Sequence, residues 1–320
     1  MRKNFNTFLV FFFACFLILC STGCGTKEIS GNLESDKLKV IATIFPQYDF
    51  VRAVAGDKVE LRMLLSPGVE SHGFEPTLQD ISDIEKSDLF IYVGGESDEW
   101  VNDVLSTVNS SSLKTISLID AVSTLKEEEV EGMEEDENEH EEDENEVDEH
   151  VWTSPVNAIK IVNKICDTLC ELDVENSEYY KSNASEYVKK LEKLDSDFLE
   201  VVENARVKTL VFAERFPFRY LTEQYGLKYY AAFKGCSSNS EPSLATINFL
   251  AQKVKDEKIS KVLYTEFSNG NVADAICNMT GSTKAELHSC HNVSKEDFNN
   301  GVTYLELMER NVDVLREVLK

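Results

Sequence analysis

A chain of 320 residues with 42% apolar and 10% aromatic residues is long enough for two lobes of ordinary size and apolar enough to fill them. Its net charge of −26 is localised, because sixteen of its 58 acidic residues lie between Glu127 and Glu149, a stretch without Lys or Arg. Nothing in this balance neutralises phosphates, which excludes a nucleic-acid partner.

The first 24 residues read as a targeting segment. Arg2 and Lys3 precede an unbroken apolar run, Phe8 to Leu19, whose twelve residues are too few to span a bilayer. Ser21-Thr-Gly-Cys24 closes it with small residues and a cysteine, which resembles the bacterial lipobox; Ser21 stands where Leu is usual, and Cys20 is the poorer candidate. Cys24 is therefore the expected lipidation site. Residues 25–36 are a flexible tether, and the mature protein is expected outside the cytoplasm, held to the membrane by its lipid.

From Leu38 to Leu118 strands and helices alternate. The expected strands are Leu38–Phe45, Val59–Leu65, Leu89–Val93 and Thr115–Leu118; the helices between them are Pro46–Ala55, Thr77–Lys86 and Asp98–Val108. Near-continuous apolar strands separated by helices predict a parallel sheet covered on both faces. His72 sits in a Pro- and Gly-rich turn after the second strand, and Thr77-Leu-Gln-Asp80 has the form of a capping box. A histidine on such a loop stands at the carboxyl edge of the sheet, where ligands bind.

The run Glu127–Glu149 reads as too charged to pack and is expected to be disordered, either as a solubilising loop or as a weak cation collector; His140 is its one histidine. His150 follows it, just before Ser154-Pro155, an N-cap with Pro at the first helical position. Val156–Leu172 is amphipathic and carries Cys166 and Cys170. In Ser177–Asn204 the residues Tyr180, Ala184, Tyr187, Leu191, Leu194, Phe198 and Val201 form a stripe at helical spacing. It predicts a straight rod of roughly 40 Å joining two lobes.

Strands at Thr209–Ala213, Lys228–Phe233, Val262–Phe267 and Ala285–His288 then alternate with helices at Phe218–Tyr225, Ser243–Lys258, Asn271–Met279 and Thr303–Leu319. The reading is α/β throughout: an N-terminal lobe over 37–175 with a disordered loop at 127–149, a linking helix over 176–204 and a C-terminal lobe over 205–320. A cleft lies between the lobes.

Several motifs occur in order: Pro67-Gly-Val-Glu-Ser-His-Gly-Phe-Glu-Pro76, Asp98-Glu-Trp100, Glu149-His-Val-Trp152, Tyr220-Leu-Thr-Glu-Gln-Tyr-Gly-Leu227, Glu241-Pro-Ser243 and Thr303-Tyr-Leu-Glu-Leu-Met308. With them the chain resembles the solute-binding lipoproteins of bacterial zinc and manganese ABC importers over nearly all of 37–320. The resemblance implies two α/β lobes joined by one long rigid helix with a metal in the cleft. It implies His72 and His150 as the first two ligands. The third position, five residues before Tyr220, holds Arg215, which cannot coordinate, so its neighbour Glu214 is the expected carboxylate. The fourth falls at His291, with His288 a competitor, and Glu266 matches an acidic position whose role is ligation or structure.

His72, His150, His291 and Glu214 would offer three nitrogens and one oxygen, a closed tetrahedral zinc site suited to holding an ion rather than activating water. Manganese, which prefers more oxygen donors, is the second choice. Cysteine usage suits an oxidising compartment. Cys236 and Cys290 are expected to bridge on cleft-side loops, Cys166, Cys170 and Cys277 to pack as small apolar groups, and a Cys236–His288–Cys290–His291 zinc site is the rival. The expected function is a monomeric receptor that passes a divalent metal, zinc first, to an ABC permease. The alternatives are a manganese receptor, an adhesin-type lipoprotein or an extracytoplasmic zinc enzyme. No His-Glu-x-x-His pattern, nucleophile elbow or phosphate-cradling Gly motif supports the last of these.

Overall fold

The computed structural model describes residues 37–70, 74–108, 112–134, 147–235, 237 and 241–320. The targeting segment with Cys24, the tether, His72, His140 and Cys236 lie outside these residues. The first sheet is built from β1 (Leu38–Ala42), β2 (Val59–Met63), β3 (Leu89–Tyr92) and β4 (Lys114–Ser117), all parallel in the order β2-β1-β3-β4. Val40, Ile41 and Ala42 of β1 and Leu89, Phe90 and Ile91 of β3 are buried, as central strands under helices must be. β2 is an edge strand and alternates instead: Glu60 and Arg62 face solvent, and Arg62 pairs with Asp80 and Asp83. The covering helices are α1 (Phe45–Ala55), α2 (Leu78–Glu85) and α3 (Glu99–Thr107).

The second lobe repeats this plan with shorter strands. β5 (Thr209–Val211) pairs with β6 (Lys228–Tyr230), and β7 (Lys261–Tyr264) pairs with β8 (Thr283–Glu286). A parallel bridge from Phe212 to Leu263 joins β5 to β7, giving the order β6-β5-β7-β8. The intervening helices are α6 (Arg219–Tyr225), α7 (Leu244–Asp256) and α8 (Asn271–Thr280).

Between the lobes run α4 (Pro155–Leu172) and α5 (Ser177–Glu203). The 27 residues of α5 make a rod of about 40 Å, and every residue of its expected stripe is buried. This rod packs on α4, on α1 and on the last helix, α10 (Tyr304–Val318); a short helix, α9 (Lys295–Asn299), precedes α10. The last helix thus returns to the first lobe. Tyr304 N donates to Asp49 of α1 at 2.7 Å, and Tyr304 Oη donates to the Trp152 carbonyl at 2.6 Å. One apolar cluster from Val40 to Leu319 results, and residues 37–320 form one compact unit. Among the described residues no helix is long and apolar enough to cross a membrane.

The acidic stretch departs from expectation at both of its ends. Residues 127–134 lie on the C-terminal lobe as a strap. Glu128 pairs with Arg219 at 3.2 Å, and Glu131 with Lys253 at 2.7 Å. The Glu134 amide donates to the Ala232 carbonyl at 2.9 Å, while Val130 and Met133 pack against the core. Gly132, at φ +88°, runs so close to the Phe249 ring that a Cβ would lie 2.1 Å from it, so no side chain fits there. Lys126 and Val147 close the excursion with an antiparallel bridge, and Asp148 and Glu149 are buried. A count of charges misses this because the partners, two cations and a helix terminus, lie about a hundred residues away in the chain.

Candidate metal centre

His150 is fully buried at the point where the chain leaves the strap's stem for α4. Its amide donates to Asp148 Oδ1 at 2.8 Å, and its Nδ1 faces the same oxygen at 3.3 Å. A carboxylate beside one ring nitrogen fixes the imidazole's orientation. Tyr220 Oη in turn donates to the Asp148 carbonyl at 2.7 Å and accepts from the Leu125 amide at 3.0 Å, so α6 pins the loop. On the other side Gly235 approaches the ring; a Cβ there would come within 3.0 Å of His150 Cε1. Burial pushes the Asp148 carboxyl up to about 7 and that of Glu149 up to about 8, although the Ser97 amide donates to Glu149 at 2.7 Å.

The facing wall comes from Leu287–Asn292, the loop after β8. Ser289 is its hub. Its amide and hydroxyl both donate to the Glu266 carboxylate, its hydroxyl accepts from the His291 amide at 3.2 Å, and its carbonyl accepts from Trp152 Nε1 at 2.8 Å. These bonds bring the imidazoles of His150 and His291 to 5.1 Å between centroids at 85°, with the Trp152 ring 4.9 Å from His291. His288 is held elsewhere: its Nδ1 accepts from the Cys290 amide at 3.0 Å, and its backbone is bound by Asn311. Of the two competing histidines, His291 stands beside His150.

His291 also opens onto a cavity of about 450 Å³ whose lining includes Glu70, Glu214, Arg215, Glu241 and Glu266. Four carboxylates against one guanidinium give this vestibule a potential that draws cations. Arg215 turns toward Glu70, 3.8 Å away. Glu214 accepts a hydrogen bond from the Ser268 hydroxyl, and burial raises its pKa. The structure does not bring Glu214 into one cluster with His150 and His291: among the described residues no three His, Cys, Asp or Glu side chains converge closely enough to hold a metal. The pair His150 and His291 is what converges. Both oxygens of Glu266 are engaged within the loop, which makes it a holder of that loop.

The expected bridge from Cys290 to Cys236 is not made on the Cys290 side. Cys290 is a free thiol, fully buried, at φ +63°. It is a member of the apolar core, its Sγ lies 3.7 Å from the His288 carbonyl, and burial pushes the thiol far above its usual range. A thiolate ligand at Cys290, needed by the rival zinc site, is disfavoured by the same burial. Cys166, Cys170 and Cys277 are free thiols too, and Cys166 packs in the core as expected. The reading from sequence passed over Asp148 and Ser289. Each stands two residues before a histidine, as Asp-Glu-His150 and Ser-Cys-His291, and that shared spacing was the available signal.

Residues 40–318 match the family described as ZnuA, zinc-uptake complex component A, periplasmic. The high-affinity zinc uptake system protein ZnuA of Bacillus subtilis (strain 168) is 32% identical over 310 residues, 96% of this chain and 95% of that protein. The zinc-binding lipoprotein AdcA of Streptococcus pneumoniae (strain R6) is 32% identical over 315 residues, and the match spans 98% of this chain but 61% of AdcA. The crystal structure of the Zn(II)-bound ZnuA-like domain of S. pneumoniae AdcA superimposes with a TM-score of 0.72 at 30% identity, covering 88% of this chain and 99% of that one.

Proposed function

Because the chain belongs to the ZnuA family of zinc-uptake components, we propose that it is a lipid-anchored receptor that captures zinc outside the cytoplasm and hands it to a cognate ABC permease. It is not an enzyme: members of the family bind a substrate for import. The observation that carries the reading is the buried His150–His291 pair, 5.1 Å apart, with Asp148 behind one ring and the Ser289 hub behind the other loop.

Two facing imidazoles, one of them oriented by Asp148, suit zinc at about 2.0–2.1 Å. We assign His72, on the loop that enters α2, as the third nitrogen. Glu214 supplies the carboxylate from the cavity wall, exchanging the Ser268 hydroxyl for the ion, while Glu70 holds the Arg215 cation aside. Nitrogen predominates in this set, which favours zinc over manganese. The acidic vestibule concentrates the cation before it meets the histidines. Cys24 carries the anchor.

Competition titration of the purified mature protein against a chromophoric chelator tests the reading. The expected result is one tight zinc per chain with manganese bound far more weakly. Equal affinity for the two ions, or none for zinc, would contradict it.

A further inference from the structure

After β8 the chain is bonded to each lobe in turn. Ser289 donates to Glu266 of the second lobe, whereas the His291 carbonyl accepts from the Phe45 amide of α1 at 3.3 Å. Asn292 follows, only 1% exposed, and its carboxamide reaches into the first lobe. Its Nδ2 donates to the carbonyls of Ser66 and Val69, both at 2.8 Å, and its Oδ1 accepts from the Val293 amide at 2.8 Å. The Val293 carbonyl in turn accepts from the Gly68 amide at 2.8 Å.

Three of these bonds close on a single turn, Ser66-Pro-Gly-Val69. Pro67 stands at its second place and Gly68, at φ +80°, at its third, as a type II turn requires. The Val69 amide donates back to the Ser66 carbonyl at 3.2 Å. Such a turn can form from its own residues, but they do not decide where its far end points. The near end is fixed by the sheet, since the Leu64 and Leu65 amides both donate to β1 and its extension at 2.9 Å. Asn292 fixes the far end. Val69 stands three residues before His72, and it lines the cavity together with His291 and Asn292.

The residue type is matched to this task. A carboxamide offers two donors from one nitrogen and an acceptor beside it, and all three groups are used here. Aspartate would set a negative oxygen against two carbonyls. Alanine would leave the Ser66 and Val69 carbonyls without this donor.

We propose that Asn292 is a positioning residue of the metal centre: it clamps the turn that leads to His72 against the loop that carries His291, so that the two ligands meet the ion as a prearranged pair. Ordering one loop against the other before binding removes that cost from the binding step and so raises affinity. The proposal rests on the assignment of His72 as a ligand made above, and adds the group that places it.

Competition of the purified mature chain with a chelator for zinc, run as a double-mutant cycle, is the test. Asn292→Ala should lower zinc affinity by about ten- to a hundredfold, as loss of a group that orients a metal ligand does. In a His72→Ala background the same change should cost less than about twofold, because the turn then has no ligand to place. Circular dichroism and thermal melts give the folded fraction, which separates lost fold from lost affinity. Where Asn292→Ala does not fold, Gly68→Ala takes its place. The added Cβ meets only Lys295, at 3.7 Å, but strains the turn at φ +80°. Its loss in affinity should be smaller and should likewise vanish without His72. Parental affinity in Asn292→Ala would overturn the proposal. Equal losses with and without His72 would do so too, by making the clamp a part of the scaffold alone. Parental affinity in His72→Ala by itself would refute instead the assignment of His72.

Discussion

Trp152 Nε1 donates to the carbonyl of Ser289 at 2.8 Å, joining residues 137 positions apart. One stands two residues after His150 and the other two before His291, so a single bond ties together the loops that carry the two imidazoles. Trp152→Phe keeps most of the buried ring and deletes the donor, leaving the Ser289 carbonyl without it. The expected cost is about 1–3 kcal/mol in unfolding free energy. Zinc affinity should fall by roughly ten- to a hundredfold, as for other groups that orient metal ligands. Denaturant melts and chelator competition measure the two separately.

His150→Ala and His291→Ala should each remove tight zinc binding while leaving the circular-dichroism spectrum intact. His288→Ala is the contrast. Its ring serves the Cys290 amide, so it should cost stability and spare zinc. Loss of tight zinc binding in His288→Ala with normal binding in His291→Ala would exchange their roles.

Glu214→Gln should lower zinc affinity by at least about tenfold if its carboxylate joins the ion, because a neutral amide is a far weaker partner for a dication. Arg215→Gln should change affinity little or raise it, since it removes a cation from the vestibule wall. Isothermal titration of the two variants decides between the adjacent residues.

Two pH effects are expected. Zinc affinity should weaken as pH falls through about 6.5, where imidazole takes up a proton and stops being a ligand. Asp98 gives an opposite trend in the stability of the zinc-free protein. Its carboxyl accepts from the Val93 and Gly94 amides, yet burial raises it from 3.8 to about 6. The folded state therefore binds this proton more tightly than the unfolded chain. The associated stability is fully present below 3.8 and is lost as pH rises to 6. Thermal midpoints across that window should show a shallower decline in Asp98→Asn than in the parent.

Removing residues 135–146 alone should leave the tight site unchanged and abolish weak, salt-sensitive extra binding. Glu134→Gln, by contrast, should destabilise the protein by about 1 kcal/mol, the usual worth of a helix-capping interaction. Calorimetry at low and high salt, paired with melts, checks both.

Periodicity and strand composition carried most of the fold. The α5 stripe from Tyr180 to Val201 is buried as its spacing requires, and the apolar runs of β1 and β3 lie at the centre of their sheet. What local pattern could not convey was long-range pairing. Glu128, Glu131 and Glu134 look like a solvated charge run until Arg219, Lys253 and the start of α7 fold against them. Cys290 looked ready to bridge because it shares a loop with His291, but it is a free thiol fully buried in the core. His150 and His291 were expected from loop position and from resemblance, and Asp148 and Ser289 bond to them across only two positions, whereas the Trp152 bond to Ser289 exists only once the two loops meet.

A crystal structure of the zinc-loaded protein with anomalous data collected at the zinc edge tests the metal centre most directly. One peak bonded to imidazole nitrogens of both His150 and His291, at about 2.0–2.1 Å, is the expected result. A peak on the Cys290–His288 side of the loop, or an ion that touches neither His150 nor His291, would contradict it.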